Sequence, residues 1–248
     1  MRDGELAADL AFEAGQLLLS LRHAEDGRNG VGARGDATSN ALLLRRLRAE
    51  RPTDSVLSEE AVDDLARLSA DRVWIIDPLD GTREYAEGRP DWAVHVALWE
   101  GGELACGAVA LPAMNALRHT EAPGSLPRRQ GRIRIAVSRS RPPAFVDDLG
   151  LRLDAELVPM GSAGVKAMSV LGGKVDAYVH AGGQYEWDSA APVAVARASG
   201  LVTCRLDGSP LLYNRADPLL PDLVIAHPDV FGDLMAAISE IIAEVGVS

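Results

Sequence analysis

Val73-Trp74-Ile75-Ile76-Asp77-Pro78-Leu79-Asp80-Gly81-Thr82 is the stretch on which the reading of this chain turns. A β-type run, Arg72–Ile76, ends in two carboxylates, so acids stand where a buried strand gives way to a loop. That is where α/β folds place ligands. Pro78 fixes φ and Gly81 tolerates dihedrals other residues avoid, so the loop can turn Asp77, Asp80 and the Leu79 carbonyl toward one point. Hard oxygen ligands of this kind suit Mg²⁺. An Asp/Pro/Gly turn joining two elements would look the same. The rest of the chain has to separate the two readings.

Upstream, residues 5–21 carry Leu6, Leu10, Ala14, Leu17 and Leu21 at helical spacing, and residues 40–50 form a second helix candidate. Ser55-Val56-Leu57 reads as a short strand ending at Ser58-Glu59-Glu60. Downstream, strands Ala93–Trp99 and Glu103–Leu111 flank the hairpin turn Glu100-Gly101-Gly102. Residues 121–131 contain Pro123, Gly124, Pro127 and Gly131 and read as an exposed linker. Beyond it the elements alternate: strand Ile133–Val137, helix Pro142–Leu149, strand Ala155–Val158, helix 162–172, strand Val175–Val179, helix 188–199, strands Leu201–Cys204 and Leu223–Ala226, and helix 228–245. The pattern predicts an α/β protein of layered helices and sheets, with subdomains 1–125 and 126–248 sharing one site.

The chain has 248 residues, 47% of them hydrophobic, enough for one large domain or two subdomains. A net charge of −11 argues against nucleic-acid polymers as partners. No apolar run is long enough to span a bilayer, and Met1-Arg2-Asp3-Gly4-Glu5 lacks the order of a secretory signal, so a cytoplasmic location is the default expectation. Cys106 and Cys204 lie in apolar runs without a histidine partner and read as core residues.

Four segments bring acids to strand ends or helix starts: Asp36 after a glycine-rich loop, Glu59, Asp77 with Asp80, and Asp188 as the expected N-cap of a helix with Pro192 near its first turn. Like charges that close would raise each other's pKa and resist clustering without cations. Two divalent ions roughly 3.5–4 Å apart would reverse that balance and suit phosphate-ester hydrolysis. Gly81 and Thr82 offer backbone N–H groups, and Thr82 a hydroxyl, for phosphate oxygens.

In order, Leu57-Ser58-Glu59-Glu60, Asp77-Pro78-Leu79-Asp80-Gly81-Thr82 and Trp187-Asp188-Ser189-Ala190-Ala191 resemble the inositol monophosphatase-like superfamily of Mg²⁺-dependent, lithium-sensitive phosphatases, over nearly the whole chain. The resemblance implies the sugar-phosphatase fold, a small phosphate-ester substrate, and two Mg²⁺ ions with room for a weaker third. It assigns Glu59, Asp77 and the Leu79 carbonyl to the first ion, and Asp77, Asp80 and Asp188 to the second. A third ion would share Glu59. Asp36 and Thr82 would activate the attacking water, although Ala33 stands where the family usually has a threonine. Gly161-Ser162-Ala163 matches a segment that opens a helix and contacts substrate beyond the phosphate, with Asp188 beside it; a plain helix start capped by Ser162 fits equally. Trp187 reads as a core anchor for Asp188, His95 as a packed residue, and Glu60 as a solvated neighbour.

Glu186-Trp187-Asp188 behind Gly182-Gly183, Ala181 in place of a sugar-gripping acid, and Asp207-Gly208-Ser209-Pro210-Leu211-Leu212-Tyr213-Asn214 resemble the 3′(2′),5′-bisphosphate nucleotidase (CysQ-type) branch. That branch implies 3′-dephosphorylation of adenosine 3′,5′-bisphosphate, in the setting of sulfur assimilation. Inositol monophosphate and fructose 1,6-bisphosphate are the alternative substrates, and a non-catalytic phosphate-ligand module is the alternative class. Arg83, Arg139, Arg141 and Lys166 are candidates for a second phosphate, and spacing does not choose among them. The oligomeric state stays open, a homodimer included. Gly30-Val31-Gly32-Ala33-Arg34-Gly35 spells a dinucleotide-binding fingerprint, but a polar, turn-forming stretch precedes it rather than a strand. A mobile loop over the substrate, around residues 27–35, is the expectation there.

Overall fold

The computed structural model describes residues 1–24 and 30–245. Among these residues, two five-stranded sheets and six of seven α-helices stack in five layers, helix–sheet–helix–sheet–helix. The first sheet, in the order β1-β2-β3-β4-β5, comprises β1 (Ser55–Ser58), β2 (Arg72–Asp80), β3 (Ala93–Glu100), β4 (Glu103–Leu111) and β5 (Ala116–His119). Only the β1–β2 pair is parallel. The second sheet, β7-β6-β8-β10-β9, is built from β6 (Arg134–Ser138), β7 (Glu156–Met160), β8 (Ala177–Tyr185), β9 (Val202–Cys204) and β10 (Leu219–Ala226).

Alternation along the strands sets the layering. Trp74 and Ile76 face α1 (Asp3–Ala24) and α2 (Val31–Glu50), while Val73 and Ile75 face the middle layer. That layer holds α5 (Ala163–Leu171) and α6 (Glu186–Ala198), and α6 packs on strands of both sheets. On the outer face of the second sheet, Ile135, Val137, Val179 and Val224 meet α4 (Val146–Arg152) and α7 (Pro228–Val245). The remaining helix, α3 (Thr82–Ala86), follows the acidic motif directly. Residues 121–131 form neither helix nor strand. Cys106 and Cys204 are buried and unpaired by disulfide, as core residues should be.

Several details depart from the sequence reading. The glycine-rich segment is not a loop: α2 begins at Val31 and carries Gly32, Gly35 and Asp36 in its first turns. Residues 27–29 of the expected loop lie outside the described residues. Packing explains the glycines. A Cβ at Gly35 would stand 3.0 Å from Leu79 Cδ2 and 3.1 Å from Tyr85 Cε1, and one at Gly32 would stand 2.8 Å from Thr82 Cγ2. These residues are small because the helix runs against the acidic segment, and that contact outweighs their poor helix propensity. The short, half-buried strand β5 has no counterpart in the sequence reading. Asp188 is not the N-cap of α6; Tyr185 is, and Asp188 sits at the third helical position. Pro192 therefore falls in the second turn, where its missing N–H leaves the Asp188 carbonyl without its usual partner.

Candidate active site

β2 does not stop at Ile76 but runs through the acidic motif with a bulge. Asp77 pairs with His95 and Asp80 with Ala93, so three steps on β2 match two on β3. In a regular strand, residues three apart point to opposite faces. The extra residue resets the pleat and turns both carboxylates toward the middle layer, where α6 supplies Asp188. Oxygens of Asp77, Asp80 and Asp188 lie within 4.8 Å of one another. Pro78 sits within the bulge, where its lack of an N–H does least harm.

Each acid is held by named donors. Asp77 Oδ1 accepts from the Leu79 N–H at 3.0 Å, which orients that peptide. Asp80 Oδ2 accepts from Ser162 Oγ at 2.5 Å and Gly164 N at 2.7 Å, and Oδ1 accepts from Ala163 N at 3.1 Å. The first turn of α5 is therefore tied to the metal-binding candidate. Ser162 caps that helix by accepting from Val165 N, at a strained φ of 45°. The hydroxyl of Ser162 and the N–H of Ala163 are both directed at Asp80. Asp188 Oδ2 accepts from Tyr185 N at 2.7 Å. Thr82 Oγ1 stands 3.2 Å from Asp36 Oδ1 and 3.1 Å from the Leu79 carbonyl. The single hydroxyl proton of Thr82 can be donated to Asp36 or to the Leu79 carbonyl, one at a time.

The electrostatics follow from crowding. Burial, then the charge of Glu60, pushes Asp36 up to about 7. Glu59 is exposed on the wall of a cavity, yet the protein around it and then the charge of Asp188 raise it to about 7. Asp77, fully enclosed, is raised well above the carboxylate range by burial and then by Glu59, with which it shares a hydrogen bond. Asp188 rises to about 6 through burial and the charge of Asp80. Asp80 is the exception. Burial pushes it up as well, but His95, Lys166 and the Ser162 hydroxyl together bring it to about 2. Acids that raise one another in this way, offering only oxygen donors, are the set a divalent cation would relieve. Asp77, Asp80 and Asp188 fit such an ion; Glu59 and the Leu79 carbonyl are not in that group of three.

Three features of the site have no local signal in the sequence. His95 is buried between two acidic segments, with Nδ1 3.1 Å from the Trp187 carbonyl and Nε2 3.2 Å from Asp80 Oδ2. It is packed, as expected, but against the site itself. On α2, Ser39 Oγ donates to the Pro78 carbonyl at 2.7 Å; Asn40 donates to the Glu60 carbonyl at 3.1 Å and accepts from Ser58 Oγ at 2.9 Å. With Asp36 they form an i, i+3, i+4 stripe, which exists only once that segment is a helix. Third, the Glu186 carboxylate accepts from Asn214 N and Arg215 N, each at 2.7 Å, and buried Arg67 donates to Asn214 Oδ1 at 2.7 Å and the Arg215 carbonyl at 2.9 Å. That clamp joins the segment after Glu59 to the helix bearing Asp188. Trp187 is half-buried and stacks on Tyr185 at 4.7 Å, so it borders the core rather than filling it. Glu60 is exposed, as a solvated neighbour should be.

Glu59, Asp80 and Asp188 border a 570 Å³ cavity, with Thr82 and Ser162 among its other lining residues. Residues 5–243 match the model of the inositol monophosphatase family. A Mycobacterium leprae protein named 3′-phosphoadenosine 5′-phosphate phosphatase is 51% identical, over 97% of this chain and 95% of its own. A Mycobacterium bovis protein of the same name is 54% identical over 92% and 90%. The crystal structure of CysQ from Bacteroides thetaiotaomicron superposes with a TM-score of 0.78 at 27% identity, covering 90% of this chain and 96% of that one. The chain belongs to the inositol monophosphatase family, a family of metal-dependent phosphatases.

Proposed function

We propose that this chain is a Mg²⁺-dependent phosphoric monoester hydrolase that removes the 3′-phosphate of adenosine 3′,5′-bisphosphate, giving AMP and phosphate. The meeting of Asp77, Asp80 and Asp188 within 4.8 Å, beside Thr82 and Asp36, carries the hydrolase reading. The substrate is supported by the two mycobacterial relatives, which bear that activity in their names at 51% and 54% identity.

Glu59, Asp77, Asp80, Asp188 and the Leu79 carbonyl would hold two Mg²⁺ ions, with a weaker third at Glu59. When bound, Mg²⁺ supplies the positive charge that neutralises these acids and draws electron density from the phosphoryl oxygens. Asp36, poised near 7, takes the proton of the attacking water, with the Thr82 hydroxyl relaying it. The water oxygen bonds to phosphorus, the bond from phosphorus to the 3′-oxygen breaks, and that oxygen is reprotonated from solvent. Gly81 and the first turn of α3 face the phosphate; Ser162 and Ala163 act by fixing Asp80. Residues 1–125 and 126–248 form two interlocked subdomains, the first bearing Glu59 to Asp80 and the second closing the site with Asp188. No helix among the described residues is long and apolar enough to cross a membrane, in keeping with a cytoplasmic enzyme.

The test is phosphate release from adenosine 3′,5′-bisphosphate with Mg²⁺ and with EDTA, alongside inositol monophosphate and fructose 1,6-bisphosphate. Faster release from the nucleotide, abolished by EDTA, is expected. Release from none of the three would leave a phosphate-binding module instead.

A further inference from the structure

The four basic residues that sequence spacing left equal are not equal in space. Arg139 Nη2 is committed to Glu84 at 2.7 Å and Glu87 at 3.1 Å. Lys166 is buried, its Nζ donating to the Gly161 and Ser162 carbonyls at 3.2 and 2.8 Å, over the Tyr178 ring. Arg83 is exposed but lines only the acidic cavity. Arg141 is exposed, its guanidinium engaged by no acid among the described residues, and it lines two cavities at once.

The second cavity, about 780 Å³, shares Arg141, His180 and Gly183 with the acidic one. Its character is opposite: Pro142, Pro143, Phe145 and Leu206 give it apolar walls. Asp222, at its edge, is already bonded to Arg205 at 2.7 and 2.8 Å. The sequence is one metal-binding cavity, one unpaired guanidinium, then one apolar recess. A nucleoside bisphosphate has the same order of chemistry: a phosphate to be cleaved, a second phosphate, and a flat base.

We infer that Arg141 binds the phosphate that is not cleaved and that the recess behind it receives the base. This rests on the nucleotide reading above and adds to it the residue that selects a bisphosphate over a monophosphate. Arginine's planar fork matches two phosphate oxygens. In a chain of net charge −11, an unpaired one at that junction is well placed to draw a dianion in. Apolar walls suit the faces of a base, as in most small-molecule sites.

Kinetics of Arg141→Ala, Arg141→Lys and Ala144→Trp on adenosine 3′,5′-bisphosphate and adenosine 3′-monophosphate test this. Wild-type enzyme should favour the bisphosphate. Loss of one charged hydrogen-bonding partner corresponds to about a 10–100-fold fall in kcat/KM, so Arg141→Ala should show that fall on the bisphosphate, mainly through KM, and narrow its advantage over the monophosphate. Arg141→Lys should recover part of the loss. Ala144, exposed on the recess wall, admits a larger side chain without entering the core; Ala144→Trp should raise KM for both nucleotides alike. The inference is overturned if Arg141→Ala leaves the bisphosphate unaffected, if it lowers both substrates in equal proportion, or if Ala144→Trp changes neither KM. Failure of the wild-type protein to release phosphate from any monoester would instead overturn the hydrolase reading.

Discussion

Replacing Asp80 by Asn should cost far more stability than replacing Asp188 by Asn, although both remove a candidate metal ligand. Asp80 accepts three hydrogen bonds, from Ser162 Oγ, Ala163 N and Gly164 N, and holds His95 Nε2 at 3.2 Å. Asn keeps one acceptor oxygen and turns an NH₂ toward the remaining donors, so at least one bond is lost and a buried donor faces a donor. Hydrogen bonds to charged groups contribute roughly 1.5–3 kcal/mol each, and breaking a buried charged partnership costs roughly 3–5 kcal/mol. Asp188 accepts a single bond, from Tyr185 N, of the kind worth about 1 kcal/mol at a helix start. Removing the charge relieves repulsion at Asp188, which is raised to about 6, more than at Asp80, which is lowered to about 2, and this widens the gap. Urea denaturation of both variants in EDTA should therefore separate them by about 2–4 kcal/mol. Activity should be lost in both. Equal stabilities, within about 1 kcal/mol, would mean that Asp80 does not organise the start of α5.

Glu60→Gln removes the charge that helps raise Asp36; Asp36 then ionises more readily, and the acid limb of the kcat/KM profile should move to lower pH. Without metal, the folded chain binds protons on Asp36, Glu59 and Asp188 more tightly than the unfolded chain does, with values of about 7, 7 and 6. Their contribution to stability is fully present below about pH 4 and is lost as pH rises through about 7. Differential scanning calorimetry with EDTA should show that loss, and Mg²⁺ should raise Tm more at pH 7.5 than at pH 5. Gly164→Ala places a Cβ 2.2 Å from His95 Nε2 and 3.0 Å from Ala93 Cβ. Both neighbours are fully buried, so overpacking of about 1–3 kcal/mol is expected from urea midpoints.

Most elements could be read in the sequence because their apolar periods are clean. Val73-Trp74-Ile75-Ile76 and Val94–Leu98 alternate between two cores, and α7 repeats its apolar face from Val230 to Ile241. What sequence missed depended on contacts between distant segments. Gly32 and Gly35 read as loop residues because nothing local announces that Leu79, Thr82 and Tyr85 press against that face. The motif puts Asp77 and Asp80 in one site, but the means of bringing them to one face is a bulge, which pairing with β3 defines. His95 looked like any packed histidine because Asp77 became its neighbour only across that same pairing.

The way the acids are held distinguishes the site from the rest of the molecule. Away from the site, several buried or half-buried carboxylates are matched by arginine: Asp63 by Arg67, Asp91 by Arg89, Asp176 by Arg134, and Asp222 by Arg205, whereas Glu186, two residues before Asp188, takes two backbone N–H groups. At the site, Asp77, Asp80 and Asp188 take backbone N–H groups, with the Ser162 hydroxyl at Asp80, and Asp36 meets the Thr82 hydroxyl. A guanidinium would neutralise a carboxylate and compete with any cation for its oxygens. Peptide and hydroxyl dipoles fix an oxygen in direction while leaving its charge in place. Asp80, beside His95 Nε2 at 3.2 Å, alone among the cluster ionises more readily than a free aspartate. The mutual repulsion left among Glu59, Asp77 and Asp188 is then what divalent ions would relieve, so cation binding and stability at neutral pH should rise together.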